Sequence, residues 1–253
     1  MKVTVLGCGT SHGVPRIGGY WGDCDPEEPK NRRRRVSLTI EEGGTRLLFD
    51  TTPDLREQLL DANIAAVDAV FYTHDHADHC HGIDDLRGLF HAMKRQVDVY
   101  ADARTLDVLK ERFGYVFKGA KGYPAIAQDH VLDVGKALEV GPMTVDSFWL
   151  NHGAIQSVGY RVANVAYTTD FNGIPADSER FLEDLDVWVV DALRRTPHPT
   201  HPHLDLTLEW IDRFKPARAY LTHMAWDMDY QTLCKELPPH IRPAYDGLDI
   251  IVS

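Results

Sequence analysis

The segment THDHADH, residues 73–79, places three histidines and two aspartates within seven positions. It follows VDAVFY, residues 67–72, a mostly apolar run that predicts a buried strand. Imidazole and carboxylate groups at the end of a strand suit a divalent metal such as Zn, Mn or Fe. A polar loop that is rich in histidine by chance is the alternative, and it is disfavoured because the rest of the chain supplies further ligands. The pattern can serve two metals, one facing His74 and His76 and the other facing Asp78 and His79.

Three more candidate ligands follow strand-like runs later in the chain. Residues 148–151, 165–169 and 219–222 are such runs, and they lead to His152, Asp170 and His223. Taken singly, these histidines would be ordinary loop or core residues, but the shared context favours metal binding. A carboxylate can bridge two ions through its two oxygens. The predicted sets are therefore His74, His76, His152 and Asp170 for one metal, and Asp78, His79, Asp170 and His223 for the other.

The order of these ligands resembles that of the metallo-β-lactamase fold superfamily of binuclear hydrolases. The resemblance extends from the first predicted strand to the last, and it implies a four-layer αββα sandwich of the α/β (α+β) class. It also implies an enzyme with two divalent metal ions, Zn or Mn, in a single domain spanning residues 1–253. Three further segments, GCGTSHGVP (7–15), NRRRRVS (31–37) and DTTPDLR (50–56), are similar to the branch that contains phosphoribosyl 1,2-cyclic phosphate phosphodiesterase.

Composition is that of a globular protein. The chain has 253 residues, of which 43% are hydrophobic and 26% are charged, enough to bury a sizeable core. The formal net charge of −11 disfavours a general nucleic-acid binder but not a small anionic substrate, because bound metals set the local field. Four scattered cysteines without CxxC spacing predict reduced thiols and a cytoplasmic location. We expect no signal peptide and no membrane association, and a homodimer remains open.

Strand and helix patterns alternate along the chain, which favours α/β layers. The predicted strands are Val3–Leu6, Ser37–Ile40, Arg46–Phe49, Met143–Leu150, Val158–Val162, Val165–Thr168, Val187–Val190 and Ala217–Leu221. The predicted helices are Pro53–Ala62, Ile83–Met93, Ala103–Phe113, Ser178–Leu185 and Leu206–Phe214. Residues 114–128 predict a long loop of the kind that can cover a site, and Lys118 and Lys121 within it could meet a phosphate or lie at the surface.

Two aspartates are candidates for orienting metal-bound histidines through their free N–H groups. Asp50 and Asp191 each follow a predicted strand, although a turn or helix-capping role is an equal alternative.

The loop from Thr196 to Leu206 contains His198, His201 and His203. For His198 and His201 a solvated loop is the main interpretation. The family resemblance assigns His203 to the substrate phosphate, where it could stabilise developing charge or protonate the leaving oxygen. The predicted catalytic residues are therefore His203 and the metal ligand Asp78.

Two other features qualify the resemblance. The run Arg32–Arg35 could bind an anion, although adjacent arginines are more often solvated. The characterised phosphodiesterase of this branch carries an extra structural zinc site, whereas here only Cys24 matches its cysteine cluster and Trp226 replaces its histidine. We therefore expect that site to be absent, which weakens transfer of the exact substrate.

The mechanism implied by two metals is hydrolysis by an activated water. The resemblance then implies a small phosphorylated substrate, phosphoribosyl 1,2-cyclic phosphate or a cyclic nucleotide, opened to a monoester. One alternative is lactone or thioester hydrolysis on the same metals. A tRNA 3′-processing endonuclease would require a basic RNA-binding extension, which is not evident. A non-catalytic metal-binding or nucleotide-binding protein would usually have lost ligands.

Overall fold

The computed structural model describes residues 1–252, which form two seven-stranded sheets. The first sheet has the order β14-β1-β2-β3-β4-β5-β6. Its strands are β1 (Lys2–Gly7), β2 (Ser37–Glu42), β3 (Thr45–Phe49), β4 (Ala69–Phe71), β5 (Val97–Ala101), β6 (Ala127–Val131) and β14 (Leu248–Ile251). From β3 to β6 the neighbours are parallel, whereas β14, β1, β2 and β3 pair antiparallel.

The second sheet has the order β13-β12-β11-β10-β9-β8-β7 and the same division into halves. Its strands are β7 (Leu138–Val140), β8 (Met143–His152), β9 (Ile155–Val162), β10 (Val165–Thr168), β11 (Val187–Asp191), β12 (Arg218–Thr222) and β13 (Ile241–Pro243). The strands from β10 to β13 are parallel, and those from β7 to β10 are antiparallel. Parallel strands end at one edge of a sheet, so the residues that follow them are brought together there.

Helices complete the layers. They are α1 (Leu55–Asp61), α2 (Ala77–Cys80), α3 (Leu86–Met93), α4 (Ala103–Lys118), α5 (Ala176–Glu179), α6 (Leu204–Phe214) and α7 (Tyr230–Glu236). Short 3₁₀ turns lie at Pro29–Asn31, Ile83–Asp85 and Arg180–Leu182. Within residues 1–252, no helix has both the length and the apolar character that a bilayer crossing requires.

Two apolar cores hold the layers together. The larger core contains side chains from both sheets, such as Phe49 and Phe71 of the first and Tyr160 of the second. The smaller core lies under α1, α3 and α4 and includes Val70 and Leu106. Since β4 is buried on both faces, its near-continuous apolar sequence belongs to a central strand. The αββα sandwich is confirmed.

Hydrogen bonds also join the sheets next to the histidine-rich segment. The Val158 N–H donates to the Thr73 carbonyl over 2.8 Å, and the Tyr160 hydroxyl donates to the Tyr72 carbonyl over 2.5 Å. The residues that precede His74 are therefore fixed to both sheets.

Two sequence predictions of secondary structure are wrong. The helix predicted at Ser178–Leu185 is one α-helical turn and one 3₁₀ turn, because Glu183 is extended and Asp184 has a left-handed φ of 53°. The loop predicted at residues 114–128 is only partly a loop, since α4 continues to Lys118 beyond a kink at Phe113 and β6 begins at Ala127.

Candidate metal centre

The ends of several strands and the short helix α2 meet at one site, and together they carry all seven predicted ligands. His74 lies three residues after β4, His152 ends β8, Asp170 lies two residues after β10, and His223 directly follows β12. The remaining three ligands belong to the short helix α2, which contains Asp78 and His79 and has His76 as its N-cap residue. The ligand atoms form two groups, in each of which all atoms lie within 4.8 Å of one another. These groups are His74, His76, His152 and Asp170, and Asp78, His79, Asp170 and His223.

Asp170 belongs to both groups because its two carboxylate oxygens face different histidines. Asp170 Oδ1 lies 3.0 Å from His79 Nε2 and 3.2 Å from His223 Nε2. Asp170 Oδ2 lies 3.8 Å from both His74 Nε2 and His152 Nε2. This is the arrangement of a carboxylate that can bridge two ions.

The donor atoms fit divalent metal ions. His74 Nε2, His79 Nε2 and both ring nitrogens of His223 are buried and have no hydrogen-bond partner among the described residues. Buried polar atoms are rarely left unpaired, and each requires an explanation. Imidazole nitrogens and carboxylate oxygens are the usual ligands of Zn and Mn, so ions held between these residues would satisfy the unpaired Nε2 atoms of the three histidines.

Neighbouring acceptors fix the orientation of two ligand histidines. His79 Nδ1 lies 2.7 Å from Asp50 Oδ2, and Asp50 in turn accepts the backbone N–H of Thr73. His152 Nδ1 lies 2.8 Å from the carbonyl oxygen of Thr200, so this nitrogen carries the proton and Nε2 is left free to bind an ion. Asp50 therefore occupies the orienting position that the sequence predicted for it.

Asp191 holds a histidine that the sequence analysis treated as part of a solvated loop. His201 Nδ1 lies 2.9 Å from Asp191 Oδ2, and His201 Nε2 lies 3.6 Å from Asp170 Oδ2. The His201 ring stacks on that of His223, with centroids 4.8 Å apart, and only 11% of its side chain is exposed. The interpretation of His201 as a solvated residue is therefore wrong.

The predicted contact of His203 with the substrate phosphate stays a prediction, and the structure places this residue at the start of a helix. It is the N-cap residue of α6, where its carbonyl accepts the N–H of Thr207 and its side chain makes no capping hydrogen bond. It belongs to none of the potential metal-binding groups of residues 1–252. The loop meets the metal centre at Thr200 and His201, and by His203 the chain has reached the start of a helix. His201 is therefore an additional histidine of the site.

Three residues of the site have left-handed backbone conformations. The φ angles are 63° for Asp50, 53° for Asp170 and 58° for His223. Such conformations are unfavourable for residues other than glycine and often occur at functional sites, where the surrounding structure enforces them. Here, the Asp170 N–H donates to Asp191 Oδ2 over 2.9 Å, which stabilises one of these turns.

The environment of the site also shifts the pKa values of its own side chains. Burial disfavours the charged form of Asp170, but the imidazoles around it, chiefly those of His223 and His79, hold the pKa of this carboxyl well below its usual range. Burial keeps the pKa of His74 well below its usual range, with His79 adding to the effect. Burial alone would lower the pKa of His201, but the carboxylates of Asp170 and Asp191 raise it to about 9.

The arginine run divides into three environments. Arg32 is exposed, with its guanidinium over the ring of Trp21. Arg33 is buried. Arg34 pairs with Asp61, and Arg35 pairs with Asp54 over 3.0 Å. Arg35 lines a cleft next to Asp78.

Cys24 is buried beside Arg33, its Sγ 3.9 Å from Arg33 Nη1. Trp226, three residues after His223, packs its ring against the guanidinium of Arg16. These are the two positions at which the resemblance to the characterised phosphodiesterase would place ligands of a further zinc ion.

Sequence comparison identifies the family. The model of the beta-lactamase superfamily domain matches residues 45–224, well over half of the chain. A solved structure, described as a new diphosphatase from the PhnP family, has 38% sequence identity and a TM-score of 0.91, with coverage of 100% of this chain and 98% of its own. The chain belongs to the metallo-β-lactamase superfamily and to its PhnP family. This membership places it among metal-dependent hydrolases.

Other similar proteins have different names. An octanoyltransferase of Porphyromonas gingivalis is 34% identical over 258 residues, which cover 100% of this PhnP-family chain but 52% of the relative. A ribonuclease Z of Salinibacter ruber is 27% identical over 174 residues, covering 64% of the chain and 48% of the relative. The chain thus spans about half the length of the curated relatives it matches. The short form of human tRNase Z shares the fold, with 17% identity, full coverage of both chains and a TM-score of 0.70.

Proposed function

We propose that the protein is a binuclear metal-dependent phosphodiesterase that hydrolyses a P–O bond in a small phosphorylated substrate. Phosphoribosyl 1,2-cyclic phosphate or a cyclic nucleotide, opened to a monoester, is the substrate class proposed. The observation that carries this proposal is the position of Asp170, whose two oxygens face two separate groups of ligands. The similar diphosphatase of the PhnP family also supports a phosphorylated substrate.

Two Zn or Mn ions would be held by the two ligand groups that share Asp170. When bound, such ions lower the pKa of a water molecule and neutralise charge on phosphoryl oxygens. Asp50 keeps the proton of His79 on Nδ1, and the Thr200 carbonyl does the same for His152. Both histidines therefore present Nε2 to the centre without a rearrangement.

His201 is the proposed proton donor to the leaving oxygen, in place of His203. Its Nδ1 is engaged by Asp191, so the other ring nitrogen, Nε2, is directed toward Asp170. A proton on Nε2 would pass to the oxygen that leaves phosphorus, and the Asp191 carboxylate would keep the ring in this orientation.

The first experiment measures hydrolysis of bis(p-nitrophenyl) phosphate and phosphoribosyl 1,2-cyclic phosphate by protein stripped of metal and resupplied with Mn or Zn. We expect metal-dependent turnover that is lost in Asp170→Ala, because that variant lacks the shared ligand. A protein that binds two metal ions but hydrolyses neither phosphodiester would overturn the proposal.

The second experiment compares His201→Ala with His203→Ala. A general acid matters most for a poor leaving group, and its removal typically costs about 10²–10⁴-fold in rate. We therefore expect His201→Ala to slow an alkyl phosphodiester much more than a p-nitrophenyl diester, which needs little protonation. The effect of His203→Ala should be at least tenfold smaller on the alkyl substrate. Equal losses on both substrates in His201→Ala would show that His201 is only structural.

Acyl ester or thioester hydrolysis is a second candidate. It is favoured by the 34% identity to the octanoyltransferase, which extends over the whole chain. Since the chain covers only 52% of that relative, its name does not establish which half performs the transfer. Metal-dependent release of p-nitrophenol from p-nitrophenyl octanoate, faster than from the phosphodiester, would favour this candidate. The ribonuclease alternative is less compatible with the net charge of −11.

A further inference from the structure

An open cleft of about 590 Å³ borders the metal centre on the side of Asp78. Its walls include Arg16, Ile17 and Tyr20 from one loop and Arg35 from the arginine run. Small-molecule sites are typically clefts of roughly 300–1,000 Å³ with apolar walls and a few polar groups. The cleft is therefore large enough for a nucleotide-sized molecule, and the metal ligand Asp78 is part of its lining.

The loop that forms one wall is a closed turn. The Arg16 N–H donates to the Tyr20 carbonyl and the Gly19 N–H donates to the Arg16 carbonyl, each over 3.0 Å. Farther along, the Asp23 N–H donates to the Trp226 carbonyl over 2.9 Å. Because Trp226 lies three residues after His223, the loop is attached to the segment that bears a metal ligand.

Arg16 is a cation without a carboxylate partner. Its guanidinium carbon lies 4.3 Å from the centroid of the Tyr20 ring and 3.9 Å from that of Trp226, and no acidic side chain of residues 1–252 forms an ion pair with it. Arg35, in contrast, is paired with Asp54. Cation–π stacking fixes a guanidinium without neutralising its charge, so Arg16 remains able to bind an anion.

Ile17 presents an apolar surface to the same cleft. Ile17 is fully exposed, and the neighbouring Tyr20 is 48% exposed. A single exposed apolar side chain is ordinary, but these two line one cleft beside a metal centre. The planar ring of a bound molecule could pack against them and cover their apolar surface.

We propose that this cleft binds the organic part of the substrate, with a flat ring against Ile17 and a second anionic group, such as a second phosphate, paired with Arg16. This inference rests on the proposed phosphodiesterase function and adds to it a preference for nucleotide-like phosphodiesters that carry a second phosphate. The metal centre hydrolyses one phosphate, and the cleft recognises the other. Arg16 is then the residue that determines the preference for a doubly phosphorylated substrate.

A matched pair of chromogenic probes tests the role of Arg16. Both are p-nitrophenyl esters of thymidine 5′-phosphate, one with a 3′-phosphate and one with a 3′-hydroxyl, and both release p-nitrophenolate. We expect the wild-type protein to have a kcat/KM at least tenfold higher for the 3′-phosphorylated probe at low salt. Arg16→Gln should reduce this ratio at least fivefold, and Arg16→Lys, which keeps the charge, should reduce it less.

Arg180→Gln is the matched control, because Arg180 is an exposed arginine that also stacks on an aromatic ring, that of Phe181. This control should keep the wild-type ratio of the kcat/KM values for the two thymidine probes. An unchanged ratio in Arg16→Gln, or an equal fall for both probes, would overturn the inference while leaving the phosphodiesterase function intact. If the wild-type protein hydrolyses neither probe nor any other phosphodiester, the proposed function fails and the inference fails with it.

The ring contact has its own test. Ile17→Ser should raise KM for both thymidine probes severalfold but leave that for methyl p-nitrophenyl phosphate, which has no nucleoside, much less affected. A similar change for all three substrates would exclude a ring-binding role for Ile17.

Discussion

Replacing the buried Arg33 by methionine is expected to destabilise the protein by about 3 kcal/mol. Arg33 Nη2 donates to the Met228 carbonyl over 2.5 Å and to Asn31 Oδ1 over 3.3 Å, while Nη1 donates to the Ala225 carbonyl over 3.1 Å. Hydrogen bonds to charged groups contribute about 1.5–3 kcal/mol each, and an acceptor left unpaired costs about 1–3 kcal/mol. Burying the charged guanidinium costs desolvation free energy, and Arg33→Met removes this cost. The expected net loss of stability is therefore smaller than the summed contributions of the three hydrogen bonds.

Thermal and urea unfolding with and without added metal would measure this loss. For a chain of this size, about 3 kcal/mol corresponds to a fall in Tm of roughly 6–12 °C. Two of the lost partners lie in the segment that follows His223, so metal affinity should fall together with stability. The exposed neighbour Arg32 provides the control, and Arg32→Met should change stability by less than about 0.5 kcal/mol. If Arg33→Met is as stable as the wild type, desolvation of the guanidinium cancels its hydrogen bonds and the reasoning is refuted.

Three other perturbations have defined outcomes. Asp50→Asn should lower metal affinity by about 10–100-fold, because the ligand histidine loses the carboxylate that orients it; competition with a chromogenic chelator measures this, and unchanged affinity would exclude the role. Gly82→Ala should cost about 1–3 kcal/mol, since the new Cβ would lie 2.0 Å from a backbone oxygen; Gly88→Ala, with no atom within 4 Å, should instead be neutral or stabilising in the same unfolding assay. Burial raises the pKa of Asp246 to about 6, so the folded state holds this proton more tightly than the unfolded state does. Its contribution to stability is complete below about pH 4 and is lost as the pH rises through 6. Asp246→Asn should flatten the unfolding free energy over this window, and an unaltered pH profile would contradict the shift.

The convergence of the seven candidate ligands was predictable because each obeys a local rule. Residues 73–79 bring four candidate ligands together within the sequence itself, whereas His152 ends a strand, and Asp170 and His223 each follow a short strand. In a sandwich whose parallel strands end at one edge, residues at the strand ends are brought together at that edge, even when the loops differ in length and sequence. The bridging position of Asp170 followed from its having two oxygens and belonging to both groups.

His201 was not predictable by the same means. It lies in a proline-rich loop, where sequence patterns give no direction to a side chain, and the resemblance favoured His203 two residues later. One signal was available, namely that a buried aspartate such as Asp191 requires a hydrogen-bond partner. Choosing that partner among three nearby histidines required the position of α6, which begins at Leu204. The environment of Arg33 could not be predicted from the sequence either, because two of its hydrogen-bond acceptors are carbonyls nearly two hundred residues away along the chain.

The left-handed turns at Asp50, Asp170 and His223 have a consequence for the evolution of this centre. Each such conformation costs of order 1–3 kcal/mol in a residue other than glycine. Glycine would relieve that cost at every one of the three positions, but it has no side chain with which to hold an ion or orient a ligand. Selection for stability alone would therefore favour Asp170→Gly. We expect this variant to be inactive but more stable than the wild type in the presence of a chelator. Ions that bind only the folded state add about 2.7 kcal/mol when present at a hundred times their Kd. Bound metal would therefore offset part of the cost of these turns, and removal of metal is expected to lower the stability of the folded protein.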